Sequence, residues 1–163
     1  MSRPRLEIYV PLVQQFSARV VFLHSKVAEV LGIHATDLKA LRILGDQSMT
    51  SSALGEAIGL GGPAVTALVD RLESGGFVQR QRSATDRRQV FVRAVPERME
   101  EIDRLYASHS ERMGDLLDRY TEAEFAAITH FLEQTTEILK QESSTLNDYP
   151  LVTIAATLRV KKN

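Results

Sequence analysis

The chain has 163 residues, about one domain's worth at roughly 150 residues per domain. Its hydrophobic share of 44% and charged share of 25% are close to globular averages, which excludes wholesale disorder. Because there is no cysteine, a disulfide framework, a zinc ribbon and a thiolate nucleophile are excluded. No apolar run approaches the roughly 18 residues of a membrane span, and the N-terminus does not have the pattern of a signal peptide. We therefore expect a cytoplasmic protein without a membrane partner.

The net charge of −1 hides an uneven distribution along the chain. Between Phe77 and Arg93, five arginines stand against Asp86 alone, whereas residues 94–142 carry twelve acidic and five basic side chains. A basic segment beside an acidic one suggests a local site for a polyanion. Charge blocks are also common on solvated faces, so charge alone leaves both interpretations open.

The first predicted element is a helix from about Pro11 to Leu31, with the proline in its first turn and Gly32 at its end. Its apolar residues recur at gaps of three and four, which is the spacing of a heptad seam. The seam consists of Val13, Phe16, Val20, Leu23, Val27 and Val30.

Three shorter helices follow. We expect the first to have Thr36 as its N-cap and the second to be capped by Thr50 or Ser51. The third begins at Pro63, because proline is best tolerated in the first turn, and it ends before Gly75. The last two helices, separated by a tight turn, predict a helix-turn-helix.

Residues 77–95 predict a β hairpin with a basic, polar tip, because Val90, Val92 and Ala94 alternate with Phe91 and Arg93. A hairpin that follows directly on the second helix of a helix-turn-helix is a wing.

Two long helices complete the predicted order. Pro96 opens the first, which carries an apolar seam up to Tyr120. Thr121 and Glu124 then form a capping box for the second, which we expect to end near Glu142. Beyond it, apolar and polar residues alternate in the C-terminal tail, which predicts either an extended arm or disorder.

These elements predict a mainly α fold with a small β wing: a winged helix-turn-helix of about six helices with two or three strands. We divide it into an N-terminal dimerisation helix (1–33), a DNA-binding winged helix (34–95), C-terminal dimerisation helices (96–142) and a tail (143–163). A single small domain has little core to absorb three apolar seams, so we expect a homodimer. The alternative is that the seams pack only within the chain.

The helix that begins at Pro63 suggests a DNA-reading surface. At 100° per residue, the side opposite its apolar face carries small residues that let a helix lie deep in a major groove. The wing tip can place an arginine in the adjacent minor groove, with Asp86 holding that arginine in one rotamer. The alternatives are an ordinary helical hairpin and a surface salt bridge without function. The candidate DNA-binding residues are Gly62, Pro63, Ala64, Thr66, Ala67, Arg71, Arg80, Arg82, Asp86, Arg87 and Arg88.

Over about residues 9–142 the sequence resembles the MarR-type winged-helix transcriptional regulators. The resemblance rests on residues 54–58, 65–73 and 76–80, and on Asp86-Arg87-Arg88 followed by Val90 and Val92. It departs from the family pattern at Ala84, where a proline is common, and over residues 93–98. The resemblance implies a homodimeric regulator, more often a repressor, that binds double-stranded DNA at a pseudo-palindromic operator.

The resemblance also implies release from DNA by a small, phenolic or aromatic effector bound between the dimer helices and the winged helix. Each candidate residue for this pocket can equally be core packing. The candidates are Phe16, Phe22, Leu23, His34, Leu41, Tyr106 and His109.

The four histidines include no His-x3-His pair, so we expect no metal site, and nothing indicates another cofactor. The sequence has no glycine-rich phosphate loop, nucleophile elbow or zinc-protease helix, so we do not expect an enzyme. Two alternatives stay open: a winged-helix regulator gated by metal, and an interaction module without DNA binding. The operator, the regulated genes, the identity of the effector and the sign of regulation do not follow from the sequence.

Overall fold

The computed structural model describes residues 3–82 and 89–147 and has the predicted mainly α fold with a small β wing. The elements are α1 (Arg3–Leu31), α2 (Ala35–Leu44), β1 (Ser48–Thr50), α3 (Ser51–Ile58), α4 (Gly62–Ser74), β2 (Val78–Arg82), β3 (Val90–Ala94), α5 (Pro96–Leu117) and α6 (Glu122–Asn147). The chain divides within α5 into two compact units, residues 1–108 and 109–163.

The core of the first unit lies where α2, α3 and α4 pack together with the sheet and the beginning of α5. The fully buried large side chains are Leu38, Leu41, Leu44, Leu54, Leu68, Val69, Leu72, Val78, Val92 and Ile102. Helix α4 contributes one continuous stripe to this core, spaced as an amphipathic helix requires. The opposite side of α4 stays exposed.

The helix-turn-helix begins with a cap that the sequence predicts. The Thr50 hydroxyl accepts a hydrogen bond from the backbone N–H of Ala53 at 3.2 Å. Helix α3 ends at Gly59, whose φ of +77° lies in the left-handed region that favours glycine. The axes of α3 and α4 bend by 106° across this break, within the range of a helix-turn-helix.

Gly55 brings α3 close to the following turn and to α4. A Cβ at this position would lie 2.9 Å from the Leu60 carbonyl oxygen and 3.2 Å from Val65 Cγ1. The Leu60 N–H donates a 2.8 Å hydrogen bond back to the Gly55 carbonyl, so the turn cannot move away without losing it. A side chain at residue 55 would therefore open the angle between the two helices.

The wing hairpin is confirmed, and β1 supplies a third antiparallel strand in the order β1-β3-β2. Val92 in the central strand pairs with Met49 on one side and with Arg80 on the other. Strand β1 has only three residues, which is too short for an alternating pattern to show in the sequence. The predicted wing tip, residues 83–88, lies outside the described residues.

Three predicted boundaries were wrong. Helix α1 begins at Arg3, not near Pro11. Because proline has no N–H, the Glu7 carbonyl one turn earlier has no hydrogen-bond partner in the helix. The helix tolerates this loss because Glu7 is exposed. Helix α2 begins at Ala35 with His34, not Thr36, as its N-cap, because the N–H groups of Asp37 and Leu38 both donate to the carbonyl of His34.

Helix α6 continues to Asn147, past the predicted end near Glu142. The hydroxyl of Ser143 donates to the Leu139 carbonyl at 2.7 Å, and that of Thr145 to the Gln141 carbonyl at 3.1 Å. These bonds within the helix accommodate the polar residues at which the sequence pattern predicts the helix to end. The remainder of the predicted tail, from residue 148, lies outside the described residues.

The capping box of α6 is confirmed. The Thr121 backbone N–H donates to the Glu124 carboxylate at 2.8 Å, and the Glu124 N–H donates to the Thr121 hydroxyl at 3.4 Å. The hydrogen bonds from Thr121 to the ionised carboxylate lower the pKa of Glu124.

In the described part of the chain, no single helix has the length and apolarity to cross a membrane. Helices α3 and α4 meet that test only jointly, as the bent pair of the helix-turn-helix.

We predict that Gly55→Ala lowers the free energy of unfolding by about 2 kcal/mol, because the added methyl group overlaps backbone that cannot move freely. Urea denaturation at one fixed protein concentration measures this change. Gly114→Ala in α5 is the matched control, because nothing lies within 4 Å of its Cβ position. There we expect a gain of about 0.5 kcal/mol from helix propensity. Equal effects at both positions would contradict the close-approach argument.

Candidate nucleic-acid interface

The exposed side of α4 carries five of the predicted DNA-binding residues. They are Gly62, Pro63, Ala64, Thr66 and Ala67. No side chain caps the helix at Gly61, and the proline occupies the first turn. Residues 61–64 are exposed, so the backbone at this end of the helix lies at the surface.

Thr66 is the residue with the clearest hydrogen-bonding group on this face. Its hydroxyl donates to the Gly62 carbonyl one turn earlier at 2.9 Å. The hydroxyl proton is thus used within the helix, while the oxygen can still accept a hydrogen bond. Thr66 therefore offers a base edge an acceptor and a methyl group.

Arg71, another predicted contact, is held by a buried acid. Its Nη2 lies 2.6 Å from Asp37 Oδ1 and its Nε 3.3 Å from Oδ2, and the Asp37 side chain is only 3% exposed. The hydrogen bond to Asp37 raises the pKa of Arg71 above its ordinary value. This bidentate pair fastens α4 to the first turn of α2. The sequence offered no signal for it, because the partners are 34 residues apart.

Arg80 on β2 is also bound to carboxylates. Its Nη2 lies 2.5 Å from Asp70 Oδ1, and its Nη1 contacts Glu73 Oε2. Its backbone N–H donates to the other Glu73 oxygen at 3.3 Å. The hydrogen bonds that Arg80 donates to Asp70 and, second, to Glu73 raise its pKa above the ordinary value of arginine. The sequence signal that could have revealed this was the pair of acids one helical turn apart on the exposed side of α4.

Arg82 is the remaining predicted arginine that the structure describes. It is exposed on β2, and no carboxylate of the described chain lies within ion-pair distance of it. The predicted contacts Asp86, Arg87 and Arg88 lie outside the described residues. Of the predicted arginines that the structure describes, Arg82 is thus the one without a carboxylate partner among the described residues.

The predicted effector residues differ in their surroundings within the described chain. Leu41 is fully buried in the core and Leu23 packs against it, whereas Phe16 and Phe22 are 66% and 58% exposed. His109 is exposed and belongs to the second unit.

A cavity of about 420 Å³ lies in the first unit and includes His34 from the predicted set. It is bounded by the end of α1, the beginning of α2, the end of α4 and the first turns of α5. The lining residues are Val30, Leu31, Gly32, Ile33, His34, Asp37, Arg71, Leu72, Gly75, Phe77, Arg98 and Glu101. The Asp37–Arg71 pair therefore forms part of its wall.

Tyr106 is buried between α1, α2 and α5. Its ring lies 5.1 Å from the Arg42 guanidinium carbon and edge-on to His24, with the centroids 5.8 Å apart. Within the described chain its hydroxyl has no hydrogen-bond partner. Burial raises the pKa of Tyr106, and the charge of Arg42 opposes that rise.

Across the described ranges, no three His, Asp or Glu side chains converge in a way that could hold a metal ion.

Comparisons with known proteins agree with this geometry. A family model described as "MarR family" matches residues 33–90. The chain is 38% identical over 143 residues to the uncharacterised HTH-type transcriptional regulator YcgE of Bacillus subtilis strain 168, covering 86% of this chain and 93% of YcgE. It is 26% identical over 113 residues to the HTH-type transcriptional regulator MhqR of the same organism, covering 68% of this chain and 72% of MhqR.

Among solved structures, the fold resembles that of a MepR mutant from a multidrug-resistant S. aureus clinical isolate. The TM-score is 0.68 at 19% identity, over 80% of this chain and 96% of that one. The match to the MarR family model, together with the 38% identity to the transcriptional regulator YcgE over 93% of its length, leads to one conclusion: the chain belongs to the MarR family of winged helix-turn-helix transcriptional regulators.

Proposed function

We propose that the protein is a homodimeric repressor that binds a pseudo-palindromic DNA site, with α4 in the major groove and the wing against the neighbouring minor groove. The observation that carries the proposal is the exposed, small-residue side of α4, presented by a helix-turn-helix bent by 106°. A protein of this kind acts where the chromosome lies, in the cytoplasm.

The side chains of α4 suit close approach to base pairs. Pro63, Ala64 and Ala67 add little bulk, so the helix axis can come near the groove floor. Thr66 can accept a hydrogen bond from the amino group of adenine or cytosine, and its methyl group can contact a thymine methyl. The free N–H of Gly62 suits a phosphate oxygen at the helix N-terminus.

The wing supplies the cationic part of the proposed interface. Arg82 is exposed at the end of β2, and the chain continues from it toward Arg87 and Arg88. The family resemblance assigns Arg88 to the minor groove, with Asp86 as the acid that orients it. A solved structure of another S. aureus MepR mutant, bound to an oligodeoxyribonucleotide, has the same fold at a TM-score of 0.55 and 20% identity, over 80% of this chain and 97% of that one. That complex supports DNA as the partner.

The apolar faces of α1 and α6 support the homodimer. Both helices expose large apolar residues that the described chain does not cover. They include Leu6, Ile8, Leu12, Phe16, Val21, Phe22 and Val30 on α1, and Phe125, Leu132, Ile138, Leu139 and Leu146 on α6. Apolar faces this extensive are typical of surfaces that a partner covers.

The effector of the proposed repressor is a small phenolic or aromatic compound, as the family resemblance implies. The cavity beside His34 is its candidate site, because Val30 and Phe77 line it with apolar side chains and Arg98, although paired with Glu101, places a cation there. A ligand in this cavity would touch the C-terminal end of α4, through which it could alter the position of that helix.

We predict that Ala67→Glu weakens binding to the preferred duplex at least about 100-fold, because a carboxylate in the groove faces phosphates and desolvated base edges. The duplex is selected from a random pool by the wild-type protein, and affinities are measured by fluorescence anisotropy at one stated salt concentration.

Ala123→Glu is the matched control, because it makes the same change at an exposed position in the first turn of α6. It should leave DNA affinity within about twofold of wild type. A wild-type protein that selects no duplex would refute DNA binding and favour the interaction module.

We predict that the wild-type protein is a dimer at micromolar concentration and that Leu132→Asp raises its dissociation constant at least about 100-fold, because the charge lies on the apolar face of α6. Light scattering measures the mass, and circular dichroism checks that helix content persists. His130→Asp, about 160° around the helix from residue 132, should remain dimeric. A monomeric wild-type protein would contradict the proposal.

We predict that millimolar benzoate, 2-hydroxybenzoate or phenol weakens binding to the selected duplex. Val30→Trp should abolish that response while DNA affinity is kept, because it adds bulk to the cavity wall from an exposed position. If these compounds have no effect while zinc or a chelator changes DNA affinity, the metal-gated alternative replaces this proposal.

A further inference from the structure

We propose that Arg80 is a positioning residue that sets the orientation of the wing on the recognition helix α4 and does not bind phosphate. This inference rests on the proposed DNA binding. It comes from one juxtaposition: a guanidinium on β2 lies between two carboxylates on the DNA-facing side of α4, Asp70 and Glu73.

The ion-paired cluster of Arg80, Asp70 and Glu73, here called the strut, connects β2 to α4. Asp70 and Glu73 are three residues apart, so they stand on neighbouring turns of one helix face. The two Nη atoms of Arg80 each engage one of these acids, and its backbone N–H reaches the second oxygen of Glu73. Side chain and main chain of one strand residue are thus tied to the same helix, which restrains rotation as well as separation.

The position of β2 in the sheet makes this restraint necessary. β2 is an edge strand, hydrogen-bonded to β3 on one side only. Its other edge faces α4, and there Glu73 accepts the N–H of residue 80. The strut fixes the end of the wing that is nearest to α4, from which the rest of the hairpin extends.

The charges argue against a phosphate contact. One guanidinium beside two carboxylates leaves this cluster with a net charge of −1. The Arg80 side chain is 29% exposed, whereas Asp70 is 59% and Glu73 40% exposed. A phosphate approaching the guanidinium would meet the acids first. The planar fork of arginine, unlike the point charge of lysine, can hold both acids at once.

Positioning predicts an effect on specificity more than on stability. Exposed ion pairs contribute little to the free energy of unfolding, so the loss of this one should leave folding intact. A specific site demands that α4 and the wing meet adjacent grooves together. Nonspecific DNA makes no such demand, because its affinity comes from phosphate contacts.

The first test compares Arg80→Met with wild type on the selected duplex and on a scrambled duplex of the same composition. We expect about tenfold weaker binding to the selected duplex, less than twofold change on the scrambled one, and an unchanged salt slope. Equal losses on both duplexes, with a slope lower by about one, would identify a phosphate contact and overturn the proposal. Arg104→Met, in the longer Arg104–Glu100 pair of α5, is the matched control and should alter neither affinity.

The second test removes the acids. Asp70→Asn with Glu73→Gln takes two negative charges from the DNA-facing side, so charge counting predicts tighter binding. Positioning predicts weaker binding to the selected duplex and no further loss when Arg80→Met is added, because all three changes break one strut. Tighter binding by the double variant, or additive losses in the triple variant, would overturn the proposal.

A third test needs no DNA and separates this proposal from the proposed function. The chain has no cysteine, so Ala67→Cys on α4 and Gln81→Cys on β2 can carry one pair of spin labels. Excess unlabelled protein keeps two labelled chains from meeting in one proposed dimer. We then expect one narrow distribution of the distance between the two labels, and a broader one in the variant that also carries Arg80→Met. Identical widths would refute the strut. If the widths differ while the wild-type protein selects no duplex, the strut stands and the proposed function fails.

Discussion

The close approach at Gly55 is the constraint on which the rest of the winged helix depends. Because no side chain separates α3 from the turn that follows it, the Leu60 carbonyl and Val65 can lie against the helix backbone. That contact sets the direction in which α4 leaves the turn. The direction of α4 in turn decides which of its sides packs into the core and which stays exposed.

Arginines hold the exposed helix in place once its direction is set. Arg71 connects α4 to the buried Asp37 of α2, and Arg80 connects the other side of α4 to the wing. Two of the three described candidate arginines thus bind the protein's own acids. Of these three, Arg82 alone has no acid among the described residues, so the candidate arginines overstate the number of cations that can meet DNA.

The helices at the two ends of the chain, α1 and α6, bury less of their apolar surface than the helices of the winged helix do. In the first unit, apolar residues of α2, α3 and α4 are covered by one another. Along most of α1 and along α6, apolar residues at helical spacing stay exposed in the described chain. Helices of that composition do not stay stable by propensity alone, because most helical stability comes from packing an apolar face. The proposed homodimer supplies that packing.

The sequence by itself determined the order of the elements. Periodicity, Pro63, Pro96, the Thr50 cap and the Thr121 capping box are local signals, each acting within about one helical turn. Because these signals are local, they also cause the errors at the start of α1 and the end of α6. Pro11 and Ser143 each predict a helix boundary, although an exposed helix accommodates both residues. Candidate DNA-facing positions on α4 could be predicted too, because they lie on the side of the helix opposite to the apolar residues, whose spacing is evident in the sequence.

Only the tertiary structure decided what the charged residues do. Asp37 and Arg71 are 34 positions apart, and Arg80 meets two acids on a different element. Strand β1 exists because β3 offers it an edge, not because three residues prefer to be extended. Such pairings depend on which surfaces the core brings together. A sequence pattern records the preference of each segment but not its neighbours in space, so those roles appear only after the chain has folded.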